Sequence, residues 1–318
     1  MKTIQEHAPV HVAGMRDLEG RIHRILDLAK RLQAHDGRLP RLLDGKAVLL
    51  VFEKHSTRTR VSFEIGLQRL GAIVTSLDGA TSQMARGESA EDTAQVLSRY
   101  ADAIVYRARD HDAFRAIAQH ATVPVINALT DLEHPCQVLA DWMALQGAVG
   151  TLRGKRFAYV GDGNNMCHSY LLGAPLMGMD VAVACPPGHG PDGDIVAQAK
   201  FLASKAGTKV RVTTDPAAAV QGAHAVATDT WINMGDEGEE AERLAAFQGY
   251  TVDDELMALA APGAKFLHCL PGHWGQEATH AVAHGPRSLI YDQAEDRMWV
   301  QMALIVDLLR GDVGLPAP

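Results

Sequence analysis

The sequence predicts an α/β protein built from two doubly wound parallel sheets. Three observations predict it. Short apolar runs alternate with helix-like stretches along the whole chain, the pattern of successive βαβ units. The alternation pauses once, at the glycine-containing segment GAVGTLRGK. The unusual polar clusters nearly all fall just after a predicted strand. At ~150 residues per domain, the 318 residues suffice for two sizeable cores.

The first series opens with Ala47 to Phe52 (AVLLVF), a buried-strand run followed by EKHSTRTR. Val61 and Ile65, and on a neighbouring face Phe63, Leu67 and Leu70, then recur at helical spacing up to Gly71, a helix stop. Ile73 to Leu77, Ala103 to Tyr106 and Val123 to Leu129 are the next strands, with helical stretches between them. The second series has strands at Arg156 to Val160, Val181 to Cys185, Val210 to Thr213, Ala223 to Thr228 and Lys265 to Leu270. The boundary falls near residues 147–154. A last amphipathic stretch, Gln293 to Leu309, is helical and is expected to cross back to the first domain.

The clusters that follow strands are STRTR, Arg107, HPCQ, GDGNN, DTWINMG and HCLP. In an open α/β sheet the carboxyl ends of the strands form one edge, and ligands bind there. Six clusters on such edges predict one active site in the cleft between two domains that helices join.

Composition narrows the function. With 47% hydrophobic and 21% charged residues the chain is an ordinary globular one. A net charge of −8 repels nucleic acid and anionic lipid, so an anion site must be built locally from a few arginines. The first twenty residues have no apolar core, and no run approaches the ~18 apolar residues of a membrane span. Cys136, Cys167, Cys185 and Cys269 lie far apart without a CxxC pair, which suits reduced thiols of a cytoplasmic protein.

Most of the clusters admit more than one reading. Ser56-Thr57-Arg58-Thr59-Arg60 follows a strand and opens a helix, where free N–H groups, hydroxyls and guanidinium forks suit a phosphate; it is equally a Ser/Thr cap with solvated arginines. His134-Pro135-Cys136-Gln137 offers an imidazole and an amide to a carbonyl and an amide group, or is simply a helix start with proline in the first turn. GDGNNM carries Met166 at the third glycine position of a dinucleotide fingerprint, and the next strand ends in CPPG without the ribose-binding acid. It is therefore a tight turn whose asparagine can meet a polar substrate. Asp229 and Asn233 of DTWINMG suit the ammonium and the carboxylate of a zwitterion; an ordinary loop with a capping aspartate is the alternative. Cys269 of HCLP is a reactive thiol, a weak donor near a reacting amine, or a buried small hydrophobe. His268, Cys269 and His273, like His280 and His284, lack metal-motif spacing. For Glu295-Asp296-Arg297 the default is a surface salt bridge.

Together and in order, FEKHSTRTRVSFE, RGESAEDTAQVLSRYADAIVYR, HPCQVLADW, GDGNNMCHS, TDTWINMG, RLAAFQGY, FLHCLPGHWGQE and QAEDRMWVQ resemble the ornithine carbamoyltransferase family, from about residue 40 to the final helix. STRTR with HPxQ marks carbamoyltransferases generally; HCLP and the DTWINMG pattern point to the ornithine branch. The resemblance implies a carbamoyl phosphate-binding domain at 1–148, with the final helix at about 293–312 packed back onto it, and an ornithine-binding domain at 149–292. It implies that Ser56, Thr57, Arg58 and Thr59 hold the phosphate of carbamoyl phosphate. Gln83, Arg107, His134 and Gln137 would complete that site, with Arg107 and His134 on the carbonyl oxygen. Cys269, Leu270 and Arg297 would contact the carbamoyl end, and Asn165, Asp229, Asn233 and Met234 would bind L-ornithine. Arg107, His134, Asp229 and Cys269 are the catalytic candidates. The resemblance further implies a homotrimer or an assembly of trimers, with no metal and no organic cofactor. Asn233 stands where this branch usually has Ser, which bears on the grip on the amino-acid carboxylate. Three rival readings are a carbamoyltransferase for another amine, such as putrescine or a modified ornithine, a non-catalytic binding relative, and a nicotinamide dehydrogenase.

Overall fold

A computed structural model describes residues 9–315, apart from 36, 55, 233–237 and 239. The chain divides into two compact units, residues 1–139 with 297–318, and residues 140–296. The divisions fall inside two continuous helices, α5 (Pro135–Val149) and α12 (Ile290–Arg310).

The first unit holds a parallel sheet of four strands, β1 (Ala47–Phe52), β2 (Ile73–Asp78), β3 (Ala103–Arg107) and β4 (Val125–Leu129), in the order β2-β1-β3-β4. Its helices are α1 (Ile22–Ala34), α2 (Arg58–Arg69), α3 (Ala90–Tyr100) and α4 (His111–His120), with the starts and ends of α5 and α12 respectively. β3 is buried at every residue, as expected for a central strand covered on both faces. β2 is the edge strand, and Ile73 is 65% exposed. Of the two apolar faces of α2, Phe63, Leu67 and Leu70 turn inward while Val61 and Ile65 stay exposed. α12 seats closely on α2: a Cβ built on Gly66 would stand 2.8 Å from Met302 and 2.9 Å from Met298.

The second unit holds five parallel strands, β5 (Arg156–Val160), β6 (Asp180–Ala184), β7 (Val210–Thr213), β8 (Ala225–Thr228) and β9 (Lys265–His268), in the order β7-β6-β5-β8-β9. Between them run α6 (Asn165–Leu176), α7 (Gly193–Ala206), α8 (Pro216–Val220), α9 (Glu240–Ala246) and α10 (Asp254–Ala258), and α11 (His280–Ala283) follows β9. Trp142 packs edge-on against Phe157, 5.0 Å between centroids, and Tyr170 lies 4.7 Å from Phe157. Among the described residues no helix is long and apolar enough to cross a membrane.

In each sheet the chain adds strands first to one side and then to the other. The reversal lies between β1 and β3 in the first unit and between β5 and β8 in the second. The helices that follow the two strands at a reversal leave on opposite sides, opening a crevice at their carboxyl ends. STRTR and Arg107 sit at the first reversal, GDGNN and DTW at the second.

The second turn has no room for a side chain at its glycine. A Cβ on Gly163 would lie 2.2 Å from the carbonyl carbon of Gly190 and 2.3 Å from the nitrogen of Pro191, both backbone atoms that cannot swing aside. Gly163→Ala is expected to destabilise the second unit by about 1–3 kcal/mol, the range for overpacking a tight interior. A denaturant melt of the variant against the parent measures it, and an unchanged midpoint would count against this packing.

Candidate active site

In the first unit the site is a cluster of positive charge around a buried imidazole. α2 starts at Arg58, and the preceding Thr57 makes no side-chain cap bond, so the helix end is not closed by its own hydroxyl. Ser56 accepts a hydrogen bond from Arg107 Nη1 at 3.2 Å, and Arg107 itself is buried at the end of β3. Arg297, 4% exposed on α12, donates from Nη2 to Thr59 Oγ1 at 2.6 Å and from Nη1 to Gln137 Oε1 at 2.9 Å. The Glu295-Asp296-Arg297 trio is thus no surface salt bridge at its arginine. The guanidinium is drawn inward because two buried oxygens, on α2 and α5, await a fork of donors.

His134 sits at the entrance to α5, and Pro135 occupies the first helical position. Burial pushes the His134 imidazole well below its usual value, and the charges of Arg297, Arg107 and Arg58 push it the same way. The ring is therefore neutral, and three guanidinium groups lie near enough to act on it. Gln83 is exposed before the 3₁₀ turn Met84–Arg86, and among the described residues no hydrogen bond joins its side chain to this cluster.

This protonation state has a consequence for stability. Above about pH 6.5 His134 is neutral whether folded or unfolded. Below it the unfolded chain takes up a proton that the folded chain refuses, so stability falls as pH falls. His11, His111 and His224 are lowered by burial as well and act in the same direction. Denaturant melts from pH 7.5 to 5 are expected to show this loss. His134→Asn should flatten the slope by about 1.4 kcal/mol per pH unit; an identical slope in the variant would contradict it.

The second unit supplies a carboxylate held by neutral donors. Asp229 follows β8 and is 5% exposed. Its Oδ1 accepts from the Cys269 thiol at 3.1 Å and its Oδ2 from Asn164 Nδ2 at 2.9 Å. Asn165 is the next residue, half-buried in the first turn of α6. Leu270 adopts φ +61°, an unusual backbone for a side chain of its size, and its N–H donates to His268 Nδ1 at 2.9 Å. Gln293 grips the backbone of His268 from both sides, accepting from its N–H at 3.2 Å and donating to its carbonyl at 2.9 Å. Asn233 and Met234 lie outside the described residues. Among the described residues, the donor atoms of Asp229, His268 and Cys269 gather within 4.8 Å, as a cation would need. Their protein partners already engage them: the thiol and Asn164 hold Asp229, and Leu270 holds the imidazole.

Sequence reasoning missed Asn164, one residue before the asparagine it selected. It also missed Glu53, which ties the ends of β1 and β3. Glu53 accepts from Tyr106 Oη and from the Arg109 N–H, both at 2.8 Å, and its own N–H donates to the Arg107 carbonyl at 3.0 Å. The signal for Glu53 was its place at a strand end; its partners could be found only from the strand order.

Comparisons with known proteins also match the chain in two parts, with bounds of their own. Residues 11–147 match the family described as "Aspartate/ornithine carbamoyltransferase, carbamoyl-P binding domain". Residues 153–308 match "Aspartate/ornithine carbamoyltransferase, Asp/Orn binding domain". The ornithine carbamoyltransferase of Methanoculleus marisnigri is 50% identical over 282 residues, 89% of this chain and 90% of the relative. That of Methanothermobacter thermautotrophicus is 47% identical over 304 residues, 95% and 99% of the two chains. The solved ornithine carbamoyltransferase of Pyrococcus furiosus superposes with a TM-score of 0.91 at 41% identity, covering 96% and 99%. The chain belongs to the aspartate/ornithine carbamoyltransferase family.

Proposed function

We propose that this enzyme transfers the carbamoyl group of carbamoyl phosphate to the δ-amine of L-ornithine, giving L-citrulline, a step of arginine biosynthesis, and phosphate. The observation that carries the reading is the convergence of Arg58, Arg107 and Arg297 on buried, neutral His134 beside the hydroxyls of Ser56 and Thr59. A small dianion with a carbonyl group is the ligand that such a set fits.

Ser56, Thr57, Arg58 and Thr59 take the phosphate, with the backbone N–H groups at the start of α2. Arg297 and Gln137 frame the carbamoyl end, and Arg107 with His134 faces the carbonyl oxygen. Because His134 is neutral, it stabilises the growing negative charge as a hydrogen-bond donor rather than as a cation. Asp229 receives the α-ammonium of ornithine, Asn165, Asn233 and Met234 the rest of its amino-acid end, and Cys269 and Leu270 contact the carbamoyl end. The substrate amine is the nucleophile: its lone pair forms the new C–N bond, phosphate departs, and the amine loses a proton. Orientation and fixed donors supply the rate.

The working enzyme is a cytoplasmic homotrimer or an assembly of trimers. Val61 and Ile65 on α2 and Ile73 on β2, 45%, 50% and 65% exposed, are apolar side chains of the first unit that a subunit contact would cover. The four free cysteines suit a reducing compartment. Citrulline formation from carbamoyl phosphate, with ornithine tested beside putrescine and N-acetylornithine, decides the reaction. Ornithine should dominate, and preference for another amine would move the assignment to that substrate.

A further inference from the structure

We infer that Asn164 is a positioning residue for Asp229: the start of α6 locks the Asn164 amide in one orientation, and the locked amide fixes the carboxylate that receives the ammonium of the substrate. The inference rests on the role given to Asp229 above.

The lock is built from donors. Asn164 is the N-cap of α6, with extended backbone, and its Oδ1 accepts from the N–H of Met166 at 3.0 Å and of Cys167 at 3.2 Å. Tyr159 Oη lies 3.3 Å from the same oxygen and donates to it. Burial holds the Tyr159 phenol well above its ordinary value, so its proton stays in place. A backbone N–H can only donate, so the atom facing Met166 and Cys167 must be the carbonyl oxygen. The amide cannot flip without setting its NH₂ against two N–H groups. Its nitrogen is thereby aimed at Asp229 Oδ2, 2.9 Å away. Cys269 takes the other carboxylate oxygen, so Asp229 is gripped at both oxygens, once by a thiol and once by an amide.

Capping alone does not call for this residue. A cap needs one acceptor oxygen, and Asp, Ser and Asn serve about equally well. Elsewhere among the described residues the chain uses Asp as a bonding cap four times, at Asp110, Asp192, Asp215 and Asp253, and Ser or Thr at Ser89 and Thr279. Among these described bonding caps Asn serves at α6, whose cap faces a carboxylate. An aspartate there would set two carboxylates within hydrogen-bond distance of each other.

The test exploits that equivalence. Asn164→Ser keeps the cap and loses the arm to Asp229. Asn164→Asp keeps the cap and turns the arm into a repulsion. Both are made in the full chain beside Asp229→Asn, and thermal midpoint, kcat and both KM values are measured. Asn164→Ser should melt close to the parent and lose about tenfold in kcat/KM for ornithine, the size of one hydrogen bond. Asn164→Asp should lose roughly a hundredfold or more, as like charges at contact distance demand. The KM for carbamoyl phosphate should stay within about twofold in both, because no residue assigned to the phosphate is touched. If both variants keep parental ornithine kinetics while Asp229→Asn loses them, Asn164 is a cap and nothing more, and the inference is overturned. If Asp229→Asn also keeps them, the role assigned to Asp229 falls and the inference falls with it. Should Asn164→Asp fail to fold, Asn164→Ser decides alone.

Discussion

Arg58→Ala is expected to lower kcat/KM for carbamoyl phosphate by about a thousandfold and to leave the thermal midpoint almost unchanged. Arg58 is exposed at the first residue of α2, so its loss opens no cavity. Its charge nevertheless helps to hold down the pKa of buried His134, in keeping with the phosphate role proposed for it. Removing one preorganised donor from developing charge costs about 10²–10³ in rate, and here phosphate binding is lost as well. Steady-state kinetics at limiting carbamoyl phosphate, with a thermal melt on the same sample, measure both halves. Near-parental turnover under those conditions would remove Arg58 from the site.

Arg297→Met should fail on both counts. The guanidinium is 4% exposed and forks between Thr59 and Gln137, themselves about 1% exposed. Methionine fills much of the volume but leaves two buried oxygens without these donors, a loss of about 2–4 kcal/mol. Turnover should fall by at least about a hundredfold. Arg297→Lys keeps the charge but offers one point in place of a fork, so it should recover stability better than activity. An Arg297→Met protein as stable and active as the parent would show that the fork contributes nothing. A contrast between Arg58, expected to affect rate alone, and Arg297, expected to affect both, would follow from their burial: Arg58 is exposed and Arg297 is 4% exposed.

The comparison with the sequence turns on these residues. The parallel sheets were legible because β1 is a continuous apolar run and β3 and β5 are apolar but for one terminal arginine each, and the clusters were legible because strand ends place ligands. The reversals between β1 and β3 and between β5 and β8 were not, since strand order is set by pairings between distant segments. Arg297 was picked out only through the resemblance: beside Glu295 and Asp296 it looks like surface charge, and the docking of α12 on α2 buries it. Asn164 escaped because cap and first turn differ by one residue, finer than periodicity resolves. His134 was placed correctly at the head of a helix, but its neutrality follows from full burial among arginines that lie far from it in the chain.

The return of α12 also sets a schedule. Every β-strand of the first unit has been made by Leu129, yet Arg297 follows its partner Gln137 by 160 residues. At roughly 5–20 residues per second of synthesis, a ribosome needs about 10–30 seconds to cover that interval. During it the nascent first unit lacks Met298 and Met302 over Gly66, leaving an apolar strip of α2 bare, and it lacks the Arg297 fork over Thr59 and Gln137. A chain still on the ribosome therefore carries a bare apolar strip, and two inward-facing oxygens without their guanidinium, until its last helix arrives.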